Sequence, residues 1–376
     1  FSSRRRHTGC LSDWSSDVCS SDLTSPKGVL EVQEILRLQK KIVPELVEVL
    51  EKRYNVLRTI YYNQPIGRRI LANQLNLGER IVRTEINFLK SQGLIEINTP
   101  GMTVTSSGEE IVNNLKDFIH EVKGLSDIEN QIKSLLHLRK VIIVPGDVEE
   151  NPTILKDLGK ACAAYVKDII HDNCIIALTG GSTIKEVVEA FPRQNTGLSN
   201  ALVVPARGGM GRKVETQANT LAASLAQKLN GTYKLLHIPE NLSSDILDTL
   251  LKEREIKDVI DSIHQADILM YGVGNAKEMA VKRGASEKEI ERLESLEAIG
   301  EAFGCYFNKN SEVVSQTTAI GINIKESRKI NTHIAVAGGK NKVESIISTQ
   351  RNNTNGILVT DEAAGREILE RLKHSN

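Results

Sequence analysis

Apolar positions divide the chain before any other property does. Val29, Val32, Leu36, Ile42, Leu46, Val49, Leu50, Val56, Leu57 and Ile60 recur mostly three or four residues apart, which predicts helices through this part of the chain. Asn63-Gln64-Pro65 breaks the period, and Pro65 suits the first turn of a further helix over Ile66 to Leu75. Asn76-Leu77-Gly78 makes a short turn, and Glu79 to Gln92 supplies another helix that Gly93 closes as a C′ residue. Leu94 to Ile97 and Met102 to Thr105 then alternate apolar and polar positions across an Asn98-Thr99-Pro100-Gly101 turn, the pattern of a small β-hairpin. Helix, turn, helix, hairpin is the order of a winged helix-turn-helix, placed here over 24–115 with the hairpin as wing.

Leu115, Phe118, Val122, Leu125, Ile128, Ile132, Leu135 and Leu138 continue at mostly helical spacing, which predicts a linker helix over 116–138. Its apolar stripe packs on a twin, as in a dimeric DNA reader, or on the next domain of the same chain. From residue 139 to 376 the period alternates between strand and helix. Strands are expected at Val141 to Val144, Cys174 to Leu178, Ala201 to Val204, Tyr233 to His237, Ile268 to Val273, Thr332 to Val336 and Gly356 to Val359. Helices are expected at Ile154 to Ile169, from Ser182, at Thr216 to Leu229, at Ile246 to Ile263 and from Lys342. This alternation predicts an α/β fold with a doubly wound sheet, in which ligands sit beyond the carboxyl ends of the strands where the strand order reverses.

Length and charge narrow the partners. A chain of 376 residues suits two to three domains, and no run of about 18 apolar residues is present to span a membrane. Lys plus Arg equal Asp plus Glu at 48 each, so nucleic-acid binding needs a local basic face. One is present: Arg80, Arg83, Thr84, Asn87 and Lys90 share a side of the second predicted helix, opposite Ile81, Ile86 and Leu89. With Arg68 and Arg69 just upstream, five basic residues stand against Glu79 and Glu85 between residues 66 and 95. That stripe is what a major-groove helix needs, although a solvated amphipathic face has the same pattern. Cys162, Cys174 and Cys305 are isolated and lack C-x-x-C spacing, so a reducing compartment and no zinc site are expected. Residues 1–23 repeat Ser-Ser-Asp and lack any period, and they read as an artefactual disordered leader that is also no signal peptide.

Glycines cluster at the ends of the predicted strands. Thr179-Gly180-Gly181-Ser182-Thr183 follows one strand, Pro205-Ala206-Arg207-Gly208-Gly209-Met210-Gly211 the next, Gly272-Val273-Gly274 another and Ala337-Gly338-Gly339-Lys340-Asn341-Lys342 the last. Glycine lets backbone N–H groups approach a ligand closely, and Arg207, Lys340 and Lys342 add positive charge. Two separate anionic groups would be neutralised, as on a sugar carrying phosphate. None of these loops is a G-x-x-x-x-G-K-[ST] or helix-opening G-x-G-x-x-G motif, which disfavours a nucleotide.

These stretches together, with "IGRRILANQLNLGERIVRTEINFLKSQGLIEI", "NTPGMTVTSSGEEI" and "GEAFGCYF", resemble the SorC family of sugar-responsive bacterial transcription regulators over residues 24–376. The resemblance implies a cytoplasmic repressor whose winged helix binds operator DNA, as a dimer that assembles into tetramers. It also implies an effector domain related to sugar-phosphate isomerases and deaminases, with fructose 1,6-bisphosphate or a related phosphosugar as allosteric ligand and no cofactor. By that likeness Gly181, Ser182 and Thr183 hold a phosphate, while Arg207, Gln217 and Lys342 are further contacts and Arg283 and Glu301 reach the sugar.

The rival reading is a catalyst on the same kind of sheet. Such enzymes resemble one another in a Gly-Val-Gly loop running into Asp-Gly-His, whereas this chain reads Gly272-Val273-Gly274-Asn275-Ala276-Lys277-Glu278. His237, His264 and His333 have no evident carboxylate partner in sequence, and Glu301 alone cannot run two-group acid–base chemistry. A sensor rather than an enzyme is therefore expected.

Overall fold

The computed structural model describes residues 42–192, 200–208, 213–238, 246, 249–317 and 320–374. The leader at 1–23, the periodic positions Val29, Val32 and Leu36, and Gly209, Met210 and Gly211 lie outside them. The chain divides into two compact units, residues 1–50 and 51–376. In the first, Ile42, Leu46 and Val49 are exposed.

The second unit opens part-way along the first helix of the winged helix. Helices α1 (Pro44–Asn63), α2 (Arg68–Gln74) and α3 (Glu79–Ser91) precede a hairpin of β1 (Ile95–Asn98) and β2 (Gly101–Val104), paired antiparallel from Ile95 opposite Val104 to Asn98 opposite Gly101. Val56, Leu57, Ile60, Leu71, Val82, Ile86, Leu89, Ile95 and Met102 form its core. One expectation changes here. Ile66 is not helical: its N–H donates to the Met102 carbonyl at 3.1 Å and its carbonyl accepts from Met102 at 2.9 Å. Residues around Pro65 thus lie against the wing, and α2 begins only after Gly67. A side chain at Gly101, whose φ is +144°, would stand 2.9 Å from the Ile66 nitrogen, so the wing needs glycine there.

The stretch expected as one linker helix is two, α4 (Ser106–Val122) and α5 (Leu125–Leu136). Thr105 caps α4 by accepting the Gly108 N–H at 3.2 Å, and Gly124 at φ +63° turns the chain between the helices. Leu125, Ile128, Ile132 and Leu136 are buried in the core of the α/β domain, which decides what their stripe packs on.

That domain contains β3 (Lys140–Val144), α6 (Ile154–Ile169), β4 (Ile175–Leu178), α7 (Ser182–Ala190), β5 (Leu202–Pro205), α8 (Ala218–Lys228), β6 (Thr232–Tyr233) and α9 (Arg254–His264). It continues through β7 (Ile268–Asn275), α10 (Ala276–Lys282), α11 (Glu287–Ser295), β8 (Gly300–Ala302), β9 (Cys305–Phe307), β10 (Val313–Gln316) and α12 (Ile324–Ser327). It closes with β11 (Thr332–Val336), α13 (Val343–Gln350), β12 (Gly356–Asp361) and α14 (Glu362–His374). Parallel pairing runs β6-β5-β4-β7-β11-β12-β3, with apolar clusters on its two faces. The chain moves outward one way from β4 through β5 to β6, and the other way from β7 through β11 to β12. The reversal therefore falls between β4 and β7. The strand expected at Tyr233 to His237 stops at Tyr233, leaving His237 in a connection. In the stretch expected to be helical from Ile246 to Ile263, Ile246, Thr249 and Leu250 are helical, a turn follows at 251–253, and α9 begins at Arg254.

Candidate functional site: a basic helix face and anion-holding corners

On the DNA-reader side, Arg80, Arg83, Thr84, Asn87 and Lys90 are exposed on α3, while Val82, Ile86 and Leu89 face the core. Ile81, expected in the apolar row, is 45% exposed, because the buried side runs through Val82 instead. Arg68 and Arg69 are exposed at the start of α2, and Arg69 lies 3.7 Å from Glu79. Glu85 does not dilute the charge of this face. It is buried and takes Lys52 at 2.7 Å and Arg53 at 3.1 Å. Burial opposes its ionisation, but those two cations outweigh it and hold its carboxyl below the usual range.

The effector corners are built differently, largely from backbone. Beyond β4, Thr179 donates its N–H to the Met270 carbonyl at 3.0 Å and Gly181 donates to Thr216 at 2.9 Å, which pins the loop between β7 and the turn before α8. A Cβ at Gly180 would sit 2.6 Å from the Thr216 carbonyl oxygen. Gly181, at φ +121°, then aims the chain into α7. The first-turn N–H groups of Ser182, Thr183 and Ile184 have no partner within that helix, and its positive dipole end reinforces them. Gln217 caps the start of α8 beside this loop, so the structure brings Gly180, Gly181, Ser182, Thr183 and Gln217 together.

A second group forms around the turn from β8 to β9. Glu301, 2% exposed, accepts from Arg283 Nη2 at 2.8 Å and from the Gly304 N–H at 2.5 Å. Arg283 closes α10 and also donates to the Tyr306 hydroxyl at 3.3 Å. Burial disfavours its charge, yet Glu301 and Tyr306 outweigh burial and hold the guanidinium above its ordinary value. Arg207, leaving β5, is buried and donates to Thr317 Oγ1 at 2.6 Å. A Cβ on Gly304 would meet Arg207 Nη1 at 1.9 Å, so only glycine lets that guanidinium lie beside the Glu301 turn. Gly208 donates to Ile320 at 2.8 Å, while Gly209 lies outside the described residues.

The third corner follows β11. Gly339, at φ +99°, donates to Asp361 Oδ1 at 3.1 Å, and the Asn341 N–H donates to Glu149 at 2.9 Å. Lys342 is half-buried just before α13. Burial, with Lys282 nearby, pulls its ammonium below the ordinary value, and among the described residues no carboxylate reaches it within ion-pair distance.

One expected corner is closed. Gly272-Val273-Gly274 lies inside β7, where Gly272 pairs with Val336 and Gly274 with Glu301, so its backbone groups belong to the sheet. Asn275 next to it accepts the Glu278 N–H at 3.3 Å and caps α10.

Two family models match this chain: a "CggR N-terminal DNA binding domain" over residues 49–119 and a "Putative sugar-binding domain" over residues 120–370. It is 38% identical over 338 residues to the central glycolytic genes regulator of Bacillus subtilis, covering 90% of this chain and 99% of that protein. The match to the protein of the same name from Priestia megaterium is 37% over 339 residues, with 90% and 99% covered. The chain belongs to the central glycolytic genes regulator family. It is a transcriptional regulator with a DNA-binding and a sugar-binding domain. Its fold is that of a crystal structure described as a "putative SorC family transcriptional regulator" from Enterococcus faecalis, at 33% identity and TM-score 0.61, covering 65% of this chain and 99% of the other. The full-length sorbitol operon regulator SorC from Klebsiella pneumoniae, at 19% identity and TM-score 0.60 over 83% of this chain and 96% of its own, shares the fold.

Several partners in this regulator escape sequence reasoning. Thr317, Gly304 and Tyr306 hold Arg207, Glu301 and Arg283, yet nothing in the spacing marks them. The β8–β10 antiparallel extension that carries them also went unread, because its strands are three or four residues long. His333 is buried, with its ring nitrogens at 3.0 Å from Asn353 Oδ1 and 2.6 Å from the Ser327 carbonyl, and burial lowers its pKa. His171, Cys174 and Asp267 approach one another within 4.8 Å at the opposite, amino end of β4. There Asp267 accepts the Ile175 N–H at 2.8 Å, and burial pushes the Cys174 thiol up to about 11, so the trio secures the turn into the strand. No helix among the described residues is long and apolar enough to cross a membrane.

Proposed function

We propose that this regulator is a cytoplasmic repressor. It grips operator duplex through α3 and releases it when a phosphosugar, fructose 1,6-bisphosphate foremost, occupies the corners beyond β4 and β11. Lys342 supports the reading by its place: it stands half-buried at the end of the loop beyond β11, and among the described residues no carboxylate lies within ion-pair distance, so an incoming anion would stabilise its ammonium, which burial disfavours. Across the switch point, the open helix end at Ser182 and Thr183 supplies the other anion seat. The two loops flank β7, so with adjacent strands about 4.8 Å apart they stand roughly 10 Å from each other. That span suits a sugar with a phosphate at each end. Arg207, Gly208 and Gln217 complete the second seat, and the Arg283–Glu301 pair faces the sugar hydroxyls. The ligand acts allosterically, with no cofactor, and the protein reads its operator as a dimer or a pair of dimers. Two-fold symmetry there doubles the phosphate contacts.

The test is a gel shift with duplex DNA from upstream of the regulator's own coding sequence, with and without fructose 1,6-bisphosphate. Sugar weakens the wild-type complex by about 5- to 150-fold, the usual range of allosteric coupling. Thr183→Val combined with Lys342→Ala keeps DNA binding and loses the sugar effect. A wild-type complex indifferent to the sugar overturns the sensor reading. A double variant that loses both functions assigns these two residues to folding instead.

A further inference from the structure

A buried polar cluster joins the DNA reader to the effector domain, and neither of the two binding surfaces uses it. Arg58 of α1 is 2% exposed and Asp157 of α6 is 4% exposed. Arg58 Nη1 lies 3.1 Å from Asp157 Oδ2, and its Nη2 donates to Asn55 at 3.1 Å. The Tyr62 hydroxyl donates to the other Asp157 oxygen. Lys156, one residue before Asp157, donates to the Tyr62 carbonyl at 2.7 Å. A charge pair this deep is costly to desolvate and holds only in a narrow geometry, so a small displacement of either helix breaks it.

Helix α6 is also the element that touches both phosphate corners. A Cβ at Gly159 would stand 2.5 Å from the Glu186 carbonyl oxygen, so α6 lies directly on α7, the helix that opens with Ser182 and Thr183. Leu158 Cδ1 lies 3.0 Å from where a Cβ on Gly338 would be, which places the same turn of α6 against the loop leading to Lys342. Asp157, Leu158 and Gly159 are consecutive: one faces the DNA reader and the next two face the corners. Beside Arg58 the seam is not filled. A cavity of about 490 Å³ opens there, walled by Asn55, Arg58 and Leu75 from the reader and by Gly146, Asp147 and Lys340 from the effector domain. Charges of both signs line it, so it converges on no one ligand chemistry, but it leaves room for the Arg58 side chain to swing. Packed cores resist such movement, whereas a seam with a void does not.

We propose that Asp157 is the positioning residue through which the phosphate corners act on the DNA reader, with Arg58 and Tyr62 latched onto it in the DNA-competent state and released when the corners load. This rests on the sugar-sensing reading of the corners. Reciprocity of coupling gives the latch a signature that damage to the fold does not share. Weakening the latch shifts the population toward the released state, so DNA binding falls while sugar binding rises.

The experiment measures duplex affinity, with and without fructose 1,6-bisphosphate, and sugar affinity without DNA. It compares full-length wild type, Asp157→Asn and Tyr62→Phe. Tyr62→Phe keeps the ion pair and removes one hydrogen bond, so it covers the case in which Asp157→Asn fails to fold. In Asp157→Asn the sugar-free duplex affinity falls about tenfold or more, sugar affinity rises by a similar factor, and added sugar changes DNA binding little. Tyr62→Phe shows smaller effects of the same signs. Unchanged sugar-free duplex affinity in the folded variants overturns the latch, and so does a loss of both affinities together. A wild type that ignores the sugar overturns the sensor reading alone. The latch is then decided by whether the variants lower sugar-free duplex affinity.

Discussion

On the proposed reading the α3 face and the glycine-rich corners both address phosphates, yet they are made from different parts of the chain. On α3 the groups are exposed side chains, Arg80, Arg83, Asn87 and Lys90, standing on a helix whose other side is core. In the corners the proposed donors are the first-turn backbone N–H groups of Ser182, Thr183 and Ile184, set in place by Gly180 and Gly181, and they are reinforced by buried charges that hold one another. A duplex is a large, mobile polyanion met at the surface, so long flexible cations suffice. A small anion must be taken out of water, and a rigid, pre-oriented backbone does that without losing side-chain entropy. The reader's chemistry can accordingly be changed without disturbing its fold, while the corners' chemistry and their folding are the same atoms.

The comparison is broken most forcefully at Arg283. Arg283→Ala leaves Glu301 as an uncompensated charge at 3% side-chain exposure, and the expected loss of stability is about 3 to 5 kcal/mol, read from thermal or urea unfolding. A loss under about 1 kcal/mol would show that the corner is not interlocked in this way. On the other side, Arg83→Ala leaves stability within about 0.5 kcal/mol, since the side chain is exposed and outside any core. It weakens duplex binding and reduces the slope of log affinity against log salt by about one, measured by titration at several salt concentrations. An unchanged slope moves the DNA contact elsewhere.

The smallest effect lies where α4 passes into α5. His120 Nε2 lies 2.9 Å from Glu129 Oε1, and the same oxygen accepts the Ile143 N–H at 2.6 Å. Burial opposes the imidazolium, but Glu129, Glu121 and Asp117 outweigh it and raise the His120 pKa above 6.5. A raised folded-state value means that the pair's contribution is complete below about pH 6.5 and is lost as pH climbs through the higher folded value. Wild type therefore exceeds His120→Gln in stability by up to about 1 kcal/mol at pH 6, and the gap closes toward pH 9. A gap that is constant with pH would remove the charge from the account.

The winged helix was legible because each of its signals is local: helical spacing, a glycine stop, a proline-glycine turn and alternation over four residues. Its errors were local too. Ile66 reads as helical by spacing but pairs with Met102, because a strand partner across the wing satisfies both its backbone groups. The parallel strands were legible as short apolar runs, and the corners as glycine pairs at the carboxyl ends of those runs. Gly272-Val273-Gly274 looked like another corner, since nothing in those three residues reveals that β8 will pair with them.

By itself the sequence determined most of the helices and the parallel strands, where an exposed basic face would form, and that glycine-rich loops follow β4, β5 and β11. Those properties depend on neighbours within a few residues. Only the tertiary structure decided that Glu85 is neutralised from α1, that Arg207 lies over Gly304, and that Arg58 and Tyr62 close on Asp157. Each of these joins residues at least 32 positions apart. Separation in the chain carries no record of such meetings, because the packing of whole helices and sheets brings them about.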